Sequence, residues 1–211
     1  PLLVDGAFTE VRLLEESGRA FVVETDFPAV GRVPVYPYPH PETITMPRHF
    51  PGLQRATNRG VVTPLPYFEH TMAVVRAGLA EHPEPDEATI DRWVEAILTE
   101  RARLIAEAGL EAPQGCLKVV VEGRTGGQDE TYVFTISSNG AGAGEGTGIP
   151  AAMGATLLLG DDVRRAGVHP PEAIIPPAAL FARAAGVLHL FSVGAPGEEF
   201  PIRIERHAPD G

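Results

Sequence analysis

The stretch over residues 139–160 constrains the fold most, because a run of glycines in it separates a predicted strand from a predicted helix. Five glycines alternate with other residues over 140–148. Without a Cβ, they let the backbone adopt conformations closed to other residues and approach a partner closely. Pro150 follows, where a first helical turn tolerates proline. The pattern predicts a strand over 131–138, then a glycine-rich loop, then a helix over 151–159.

This loop lacks the spacing of a dinucleotide-binding site. The fingerprint Gly-x-Gly-x-x-Gly needs a third glycine in phase and an acidic residue about 20 positions later, at the end of the next strand. Glu145 stands where that third glycine should follow Gly140, and its carboxylate would repel a pyrophosphate. Thr147 holds the same position after Gly142, and Glu172 lies in a proline-rich segment. We therefore interpret the stretch as a flexible loop before a tightly packed helix.

Charge and hydropathy exclude several classes of partner. The 211 residues include 28 acidic and 17 basic side chains, which gives a formal net charge of −11. Nucleic acid and anionic membranes both need a cationic protein face, so we expect neither as a partner. No apolar run approaches the roughly 20 residues of a membrane span, and the N-terminus shows no signal-peptide pattern. We expect a cytoplasmic protein, and the start at Pro1 without a methionine predicts a processed or excised fragment.

Hydrophobic periodicity predicts a mixed α+β protein. Apolar residues at three- and four-residue steps predict helices over 67–80 and 87–108, with Asp86 as the N-cap of the second helix. β-branched and aromatic runs predict a hairpin with arms 117–122 and 131–138. The other predicted elements are a hairpin over 10–14 and 20–24, strands over 32–36, 187–193 and 200–205, and a short helix from about 176 to 185.

The proline-rich segment 37–47 is the first candidate for function. Four prolines in eleven residues predict a rigid, extended backbone and exclude both helix and central strand. Such a segment presents His40, Glu42, Thr43 and Thr45 at fixed places. The alternative is a surface linker without chemistry. Both interpretations stay open here, because loops carry function more often than their composition requires.

Motifs for metal binding or nucleophilic catalysis are missing from the sequence. His40, His49 and His70 are scattered, without the His-x-x-x-His pair of a helical zinc site. The sequence contains neither a Gly-x-Ser-x-Gly elbow nor a Gly-x-x-x-x-Gly-Lys-[Ser/Thr] phosphate loop. The single cysteine, Cys116, cannot form an internal disulfide, and we interpret it as a small buried hydrophobe. We therefore predict no metal site. These patterns alone indicate an α+β domain, and they do not identify what it binds.

Three blocks in a fixed order indicate a family. They are Tyr38-Pro-His-Pro-Glu-Thr-Ile-Thr-Met-Pro47 followed by residues 51–58, Gly115-Cys-Leu-Lys-Val-Val-Val-Glu-Gly-Arg-Thr-Gly126, and Gly146-Thr-Gly-Ile-Pro-Ala-Ala152 continuing to Gly167-Val-His-Pro-Pro-Glu172. These blocks resemble the substrate-binding domain of the saccharopine dehydrogenase-like oxidoreductases. That family includes lysine 6-dehydrogenase and carboxynorspermidine dehydrogenase. It shows similar His-x-Glu-x-x-Thr, Gly-Thr-x-x-Pro-Ala-Ala and Gly-Val-x-x-Pro-Glu patterns.

The resemblance implies a fold and a molecular context. The fold would be α+β, a mixed, largely antiparallel sheet with helices on one face, similar to the C-terminal domain of glyceraldehyde-3-phosphate dehydrogenase. Residues 1–211 would form a single domain for substrate binding and dimerisation. A Rossmann domain is expected upstream in the full-length chain, where it would bind NAD or NADP. We expect no cofactor bound to this fragment, which would be inactive alone.

The resemblance also implies a reaction and its residues. The reaction is hydride transfer at the C–N bond of an amino acid or amine. We expect His40 to move a proton and Glu42 to pair with a substrate ammonium. The predicted substrate-binding residues are Thr43, Arg48, Arg55, Thr147 and Gly148. The arginines would clamp a carboxylate, and residues 147–148 would offer a hydroxyl and an N–H group at a helix N-terminus.

Two alternatives remain open. Each arginine is equally well interpreted as part of a surface ion pair. The chain as a whole can instead be a non-catalytic module for dimerisation or small-ligand binding, because nothing in the sequence binds a nucleotide. A homodimer is expected in either case, since the sheet commonly serves in dimerisation in the family.

Overall fold

The computed structural model of the chain describes residues 1–28, 30–109, 114–139, 143–160, 162–187 and 202–207. The chain divides into two compact units, Pro1–Thr25 with Val33–Glu111 and Asp26–Arg32 with Ala112–Gly211. Helices and antiparallel sheets confirm the predicted α+β class. The prediction of a single domain over 1–211 is not tested by this division into two compact units and stays a prediction. Across the described part of the chain, no helix is long and apolar enough to cross a bilayer.

The first unit holds most of the early elements. In chain order they are β1 (Leu2–Val4), β2 (Ala7–Thr9), α1 (Glu16–Arg19), β3 (Val23–Phe27), β4 (Gly31–Pro37), α2 (Glu42–His49), β5 (Arg59–Gly60), α3 (Leu65–Glu81) and α4 (Glu87–Glu107). Residues 26–32, at the ends of β3 and β4, belong to the second unit. Strand β4 lies between β3 and β5 in a three-stranded sheet, and it confirms the strand predicted over 32–36.

The core of the first unit forms around β1 and β4. Val33 and Val35 alternate with less buried residues along β4, the period of a strand with one face inward. Leu3 pairs with Ala56 in an isolated antiparallel bridge, and Leu2 is also buried. Phe68 of α3 is 6% exposed, and its ring centroid lies 5.1 Å from that of Tyr36. The apolar face predicted for α3 is therefore correct at its N-terminal end.

Helices α3 and α4 form the predicted helical pair. The carboxylate of Asp86 accepts a hydrogen bond from the Thr89 N–H at 2.9 Å, which confirms the predicted N-cap. Hydrogen bonds from the Thr89 side chain and N–H hold the pKa of Asp86 below its usual value. The helices approach closely where Gly78 meets Trp93: a Cβ on Gly78 would lie 2.2 Å from the indole. Glycine is therefore required at position 78.

In its described residues, the second unit contains a long hairpin and three helices. Its elements are β6 (Gln114–Thr125), β7 (Gln128–Asn139), α5 (Ala143–Leu159), α6 (Pro171–Ile174), α7 (Pro177–Val187) and β8 (Ile202–His207). Gly126 and Gly127 form the turn between β6 and β7 with φ values of 61° and 87°, which favour glycine. The sheet order is β6-β7-β8, and both pairings are antiparallel. These elements confirm the predicted hairpin, the short helix after Pro176 and the last strand.

The register of this sheet separates two surfaces. Partners across the strands share a face, and neighbours along a strand alternate between faces. One surface, the apolar sheet face, includes Leu117, Val119, Val121, Phe134, Ile136, Ile202 and Ile204, and its last row ends in Tyr132 and Arg206. The other, the polar sheet face, includes Lys118, Thr135, Ser137, Arg203 and Glu205.

Several predicted elements are wrong. The first hairpin is not at 10–14 and 20–24 but in β1 and β2, which meet at Asp5-Gly6 with φ values of 50° and 76°. An Asp-Gly pair fits a tight two-residue hairpin turn. The helix predicted from residue 151 begins eight residues earlier, at Ala143. Of the strand predicted over 187–193, Val187 ends α7 instead, and residues 188–193 lie outside the described part of the chain.

The proline-rich segment is also helical, contrary to the prediction. Pro41 precedes α2 with φ −64° and ψ −27°, values that already suit a helix. Pro47 lies inside the helix and removes one donor, the N–H that would bond to the carbonyl of Thr43. A single missing bond in an eight-residue helix is tolerated because tertiary contacts hold its first turn.

We expect Gly78→Ala to destabilise the first unit. A Cβ at position 78 overlaps the Trp93 ring, and overpacking of this kind costs about 1–3 kcal/mol, more than the ~1 kcal/mol that alanine gains in helix propensity. Urea unfolding followed by circular dichroism measures the change. The control is Gly146→Ala in α5, where a Cβ meets nothing within 4 Å, and this change should be stabilising. Unchanged stability in Gly78→Ala would show that α3 and α4 move apart freely.

Candidate functional site

A histidine–carboxylate pair lies at the start of α2. Nδ1 of His40 contacts Oε2 of Glu42, the first residue of the helix. The His40 side chain is 47% exposed and that of Glu42 is 43% exposed, so both are accessible to a ligand. The structure thus brings together the two residues that we predicted to be catalytic. Their contact was not predicted, because the segment was expected to be extended.

The backbone around this pair is held on both sides. Upstream, the Tyr38 N–H donates to the Asn58 carbonyl at 3.0 Å, which extends the pairing of β4 with β5 by one residue. Downstream, the Thr43 hydroxyl lies 2.9 Å from the carbonyl oxygens of both Pro1 and His40. Because a hydroxyl has one proton, these two acceptors share it. The turn from His40 into α2 is therefore fixed by buried hydrogen bonds.

The geometry assigns a tautomer to His40. A carboxylate can only accept, so the contact with Glu42 places a proton on Nδ1 of the ring. Nε2 then has a free lone pair, and within the described residues it has no hydrogen-bond partner. Such an imidazole can take a proton at Nε2 while the carboxylate stabilises the imidazolium that forms. This is the arrangement of a general base held by an orienting carboxylate.

Thr43 has a different position from the one expected of a substrate-binding residue. It is 4% exposed, and its hydroxyl is committed to backbone carbonyls. We therefore assign it a positioning role beneath the pair. Its direct contact with substrate stays a prediction that the burial disfavours.

The predicted arginines lie apart from the pair. Arg48 is exposed in the last turn of α2, six residues beyond Glu42, or about 9 Å further along the helix axis at 1.5 Å per residue. Arg55 is exposed in the segment before β5. Its role as a carboxylate clamp stays a prediction, as does that of Arg48.

A third arginine, Arg59, was missed by the sequence analysis. Its Nε donates to the Phe21 carbonyl at 3.0 Å, and its Nη1 donates to the Thr57 hydroxyl at 3.1 Å. Burial lowers the pKa of Arg59, and the charge of Arg55 lowers it further. No sequence signal marks Arg59, because one of its two partners, the Phe21 carbonyl, is 38 residues away along the chain.

Thr147 and Gly148 are not at a helix N-terminus, contrary to the prediction. Both lie in the second turn of α5, which begins at Ala143, and both are exposed. Inside a helix, each N–H is directed at the carbonyl four residues earlier and is unavailable to an anion. The described glycines of this stretch therefore do not form a phosphate cradle, and they do not fit a nicotinamide nucleotide. Gly140 and Gly142 lie outside the described residues.

In the part of the chain that the structure describes, other reactive side chains form no second centre of this kind. Over the described ranges, no group of three or more His, Cys, Asp or Glu side chains is arranged to hold a metal ion. Cys116 is half-buried, and its sulfur lies 3.4 Å from the Ser137 hydroxyl. One carboxylate oxygen of Glu172 is buried without a hydrogen-bond partner in the described structure.

Comparisons with known proteins add no family assignment. No protein-family model matches the chain, and a search of curated proteins found no match either.

We expect Thr43→Val to loosen the site without removing either member of the pair. The change leaves the carbonyls of Pro1 and His40 without their buried donor, which costs about 1–3 kcal/mol. Urea unfolding measures the stability, and histidine ring signals in NMR spectra report the position of His40. Thr45→Val is the matched control, because Thr45 is on the same helix and its hydroxyl makes no hydrogen bond to a described residue. Equal effects of both changes would contradict the positioning role.

Proposed function

We propose that this chain is the substrate-binding part of an NAD(P)-dependent oxidoreductase that acts on the C–N bond of an amino acid or amine. The observation that carries the proposal is the His40–Glu42 pair, which is accessible and has the geometry of an oriented general base. The resemblance of the sequence blocks to saccharopine dehydrogenase-like enzymes supplies the reaction class. We place the nucleotide on another domain, because the described residues of this chain do not fit it.

In this proposal the chain manages a proton. Oxidation of an amine at carbon requires the nitrogen to lose its proton, so that its lone pair can form the C=N bond. Nε2 of His40 accepts that proton, and Glu42 stabilises the resulting imidazolium. The second oxygen of the Glu42 carboxylate remains for the substrate ammonium, the role first predicted for this residue. Arg48 or Arg55 would hold a substrate carboxylate.

The acidic balance of the chain supports the same choice of partners. With a net charge of −11, the protein is suited to a small amine or amino acid rather than to a polyanion. We propose a cytoplasmic location and a homodimer, with neither nucleic acid nor membrane as a partner.

We expect Glu42→Gln to lower kcat/KM for amine oxidation in the full-length protein by about 10²–10⁴, the usual contribution of general acid–base catalysis. The amide keeps the shape of the side chain but cannot stabilise His40 as a cation. Formation of reduced nicotinamide with candidate amino acids and amines measures the rate. Glu69→Gln is the control, because Glu69 is an exposed carboxylate of α3 in the same unit. Unchanged kinetics in Glu42→Gln would remove its catalytic role.

A second observation favours the alternative function, a dimerisation module. On the apolar sheet face, Leu117 is 57% exposed, Val119 is 44%, Val121 is 51% and Ile204 is 57%. Contiguous exposed apolar side chains of this kind mark interaction sites in proteins. A two-fold contact would bury the same patch on both copies. The dimer is compatible with the enzymatic proposal and does not require it.

We expect Val119→Asp to shift the protein from dimer to monomer. The new carboxylate would be buried without a partner at the centre of the apolar sheet face, which strongly disfavours association. Sedimentation velocity measures the change in oligomeric state. Val120→Asp is the matched control, because the neighbouring residue is exposed to a similar extent, 51%, on the opposite face. A dimer that survives Val119→Asp and dissociates in Val120→Asp would place the interface elsewhere.

A further inference from the structure

A polar cavity lies on the polar sheet face of the second unit. Its volume is about 250 Å³, and it is lined by Asp26, Pro28, Lys118, Thr135, Arg203 and Glu205. None of these residues takes part in the proposed catalytic site. At about 30 Å³ for each water molecule, the space holds about eight waters, so a ligand of similar size fits.

The floor of the cavity is one row of the sheet. Thr135 of β7 is paired in register with Lys118 of β6 on one side and with Arg203 of β8 on the other. Directly opposite residues have Cβ atoms about 5 Å apart, so a hydroxyl lies between two cationic side chains. Thr135 is 7% exposed, and its hydroxyl has no hydrogen-bond partner within the described residues. The hydroxyl oxygen is not fully buried, so it is open to the cavity and can donate to a ligand there.

Of the four charged side chains that line the cavity, two form an ion pair with each other and two have no ion-pair partner among the described residues. Arg203 is neutralised by Glu205, with Nη2 and Oε1 at 2.6 Å. The Lys118 ammonium donates to the carbonyl oxygen of Asp26 at 3.2 Å and has no carboxylate partner in the described structure. The Asp26 carboxylate, which also lines the cavity, has no ion-pair partner in the same part of the chain. One positive and one negative group therefore face the same small space without forming a salt bridge to each other.

We propose that this cavity binds a small zwitterionic amino acid. The ligand carboxylate accepts hydrogen bonds from the Lys118 ammonium and the Thr135 hydroxyl, while its ammonium pairs with Asp26. The ammonium of Lys118 and the carboxylate of Asp26 then each gain a partner of opposite charge, and the Thr135 hydroxyl gains an acceptor; hydrogen bonds to ionised groups are the stronger kind. A simple anion satisfies only Lys118 and Thr135, and a simple amine satisfies only Asp26. The cavity shares no residue with the His40–Glu42 pair. This proposal can therefore be tested independently of the proposed enzyme activity.

The sequence offers a direct reporter of binding. Lys118 is the single lysine of the chain, so labelling with ¹³C-lysine gives one signal from the carbon beside the ammonium. We expect glycine and L-alanine to shift this signal saturably, with a dissociation constant on the order of 1 mM for a small ligand in an open site. Acetate and ethylamine, which carry one charge each, should bind about tenfold more weakly or not at all.

Two variants separate the two halves of the ligand while keeping the reporter. Asp26→Asn should weaken glycine binding about tenfold and leave acetate binding unchanged. Thr135→Val, which keeps the shape of the side chain, should weaken glycine and acetate to a similar extent. Asp129→Asn is the matched control, because Asp129 is an exposed carboxylate of the same unit that pairs with Arg124 at the hairpin turn.

Each outcome decides the proposal. A saturable glycine shift that Asp26→Asn weakens and Asp129→Asn does not would support it. Equal affinity for glycine and acetate would overturn the assignment of a zwitterion, and so would a glycine shift insensitive to Asp26→Asn. If glycine and L-alanine give no saturable shift at concentrations far above the expected dissociation constant, the cavity binds neither amino acid.

Discussion

The pairing of β6 with β7 is the constraint on which most of the second unit depends. Twelve residues of each strand pair without interruption, from Gln114 with Asn139 to Thr125 with Gln128. A slip of one residue would move every side chain to the other side of the sheet. It would place Leu117 and Val119 on the face of the sheet that now carries Lys118. The turn at Gly126 and Gly127, whose positive φ values favour glycine, therefore helps to set both the apolar sheet face and the row of Lys118, Thr135 and Arg203.

The candidate site of the first unit depends on a different kind of constraint. Its two candidate functional side chains are accessible, but the turn that orients them is held by the buried Thr43 hydroxyl, which donates to backbone carbonyls of Pro1 and His40. Functional sites typically have this arrangement, in which buried side chains hold the accessible functional groups in position. It also reconciles the two interpretations of segment 37–47. The segment is a surface feature, and it is nonetheless held rigidly enough to present a proton acceptor in one orientation.

The sequence predicted those elements whose signal is local and repeated. The period of α3 and α4, the Asp86 cap and the β6–β7 hairpin are all visible in short windows, and all are confirmed. The missed elements were decided by context. Helices α2 and α5 form despite Pro47 and Pro150, because propensity is a weak prior that tertiary contacts override. The Asp5-Gly6 pair is itself a local signal for a tight hairpin turn. The His40–Glu42 contact depends on α2, a helix that was not predicted. The cavity depends on the register among three strands that are distant in sequence, which no short window of the sequence shows.

The free edge of β6 has a consequence for how the protein assembles. In the described structure β6 pairs only with β7, so its outer N–H and C=O groups form an open ladder twelve residues long. A two-fold contact through the apolar sheet face would close after two copies, and so would two-fold pairing of two β6 edges. Only pairing of the β6 edge with a different edge of the next copy would leave a free edge at each end and extend into a filament. These contacts would use the same sheet, so they would compete. Charged side chains along an edge strand, here Lys118, Glu122 and Arg124, disfavour pairing of that edge with a second chain.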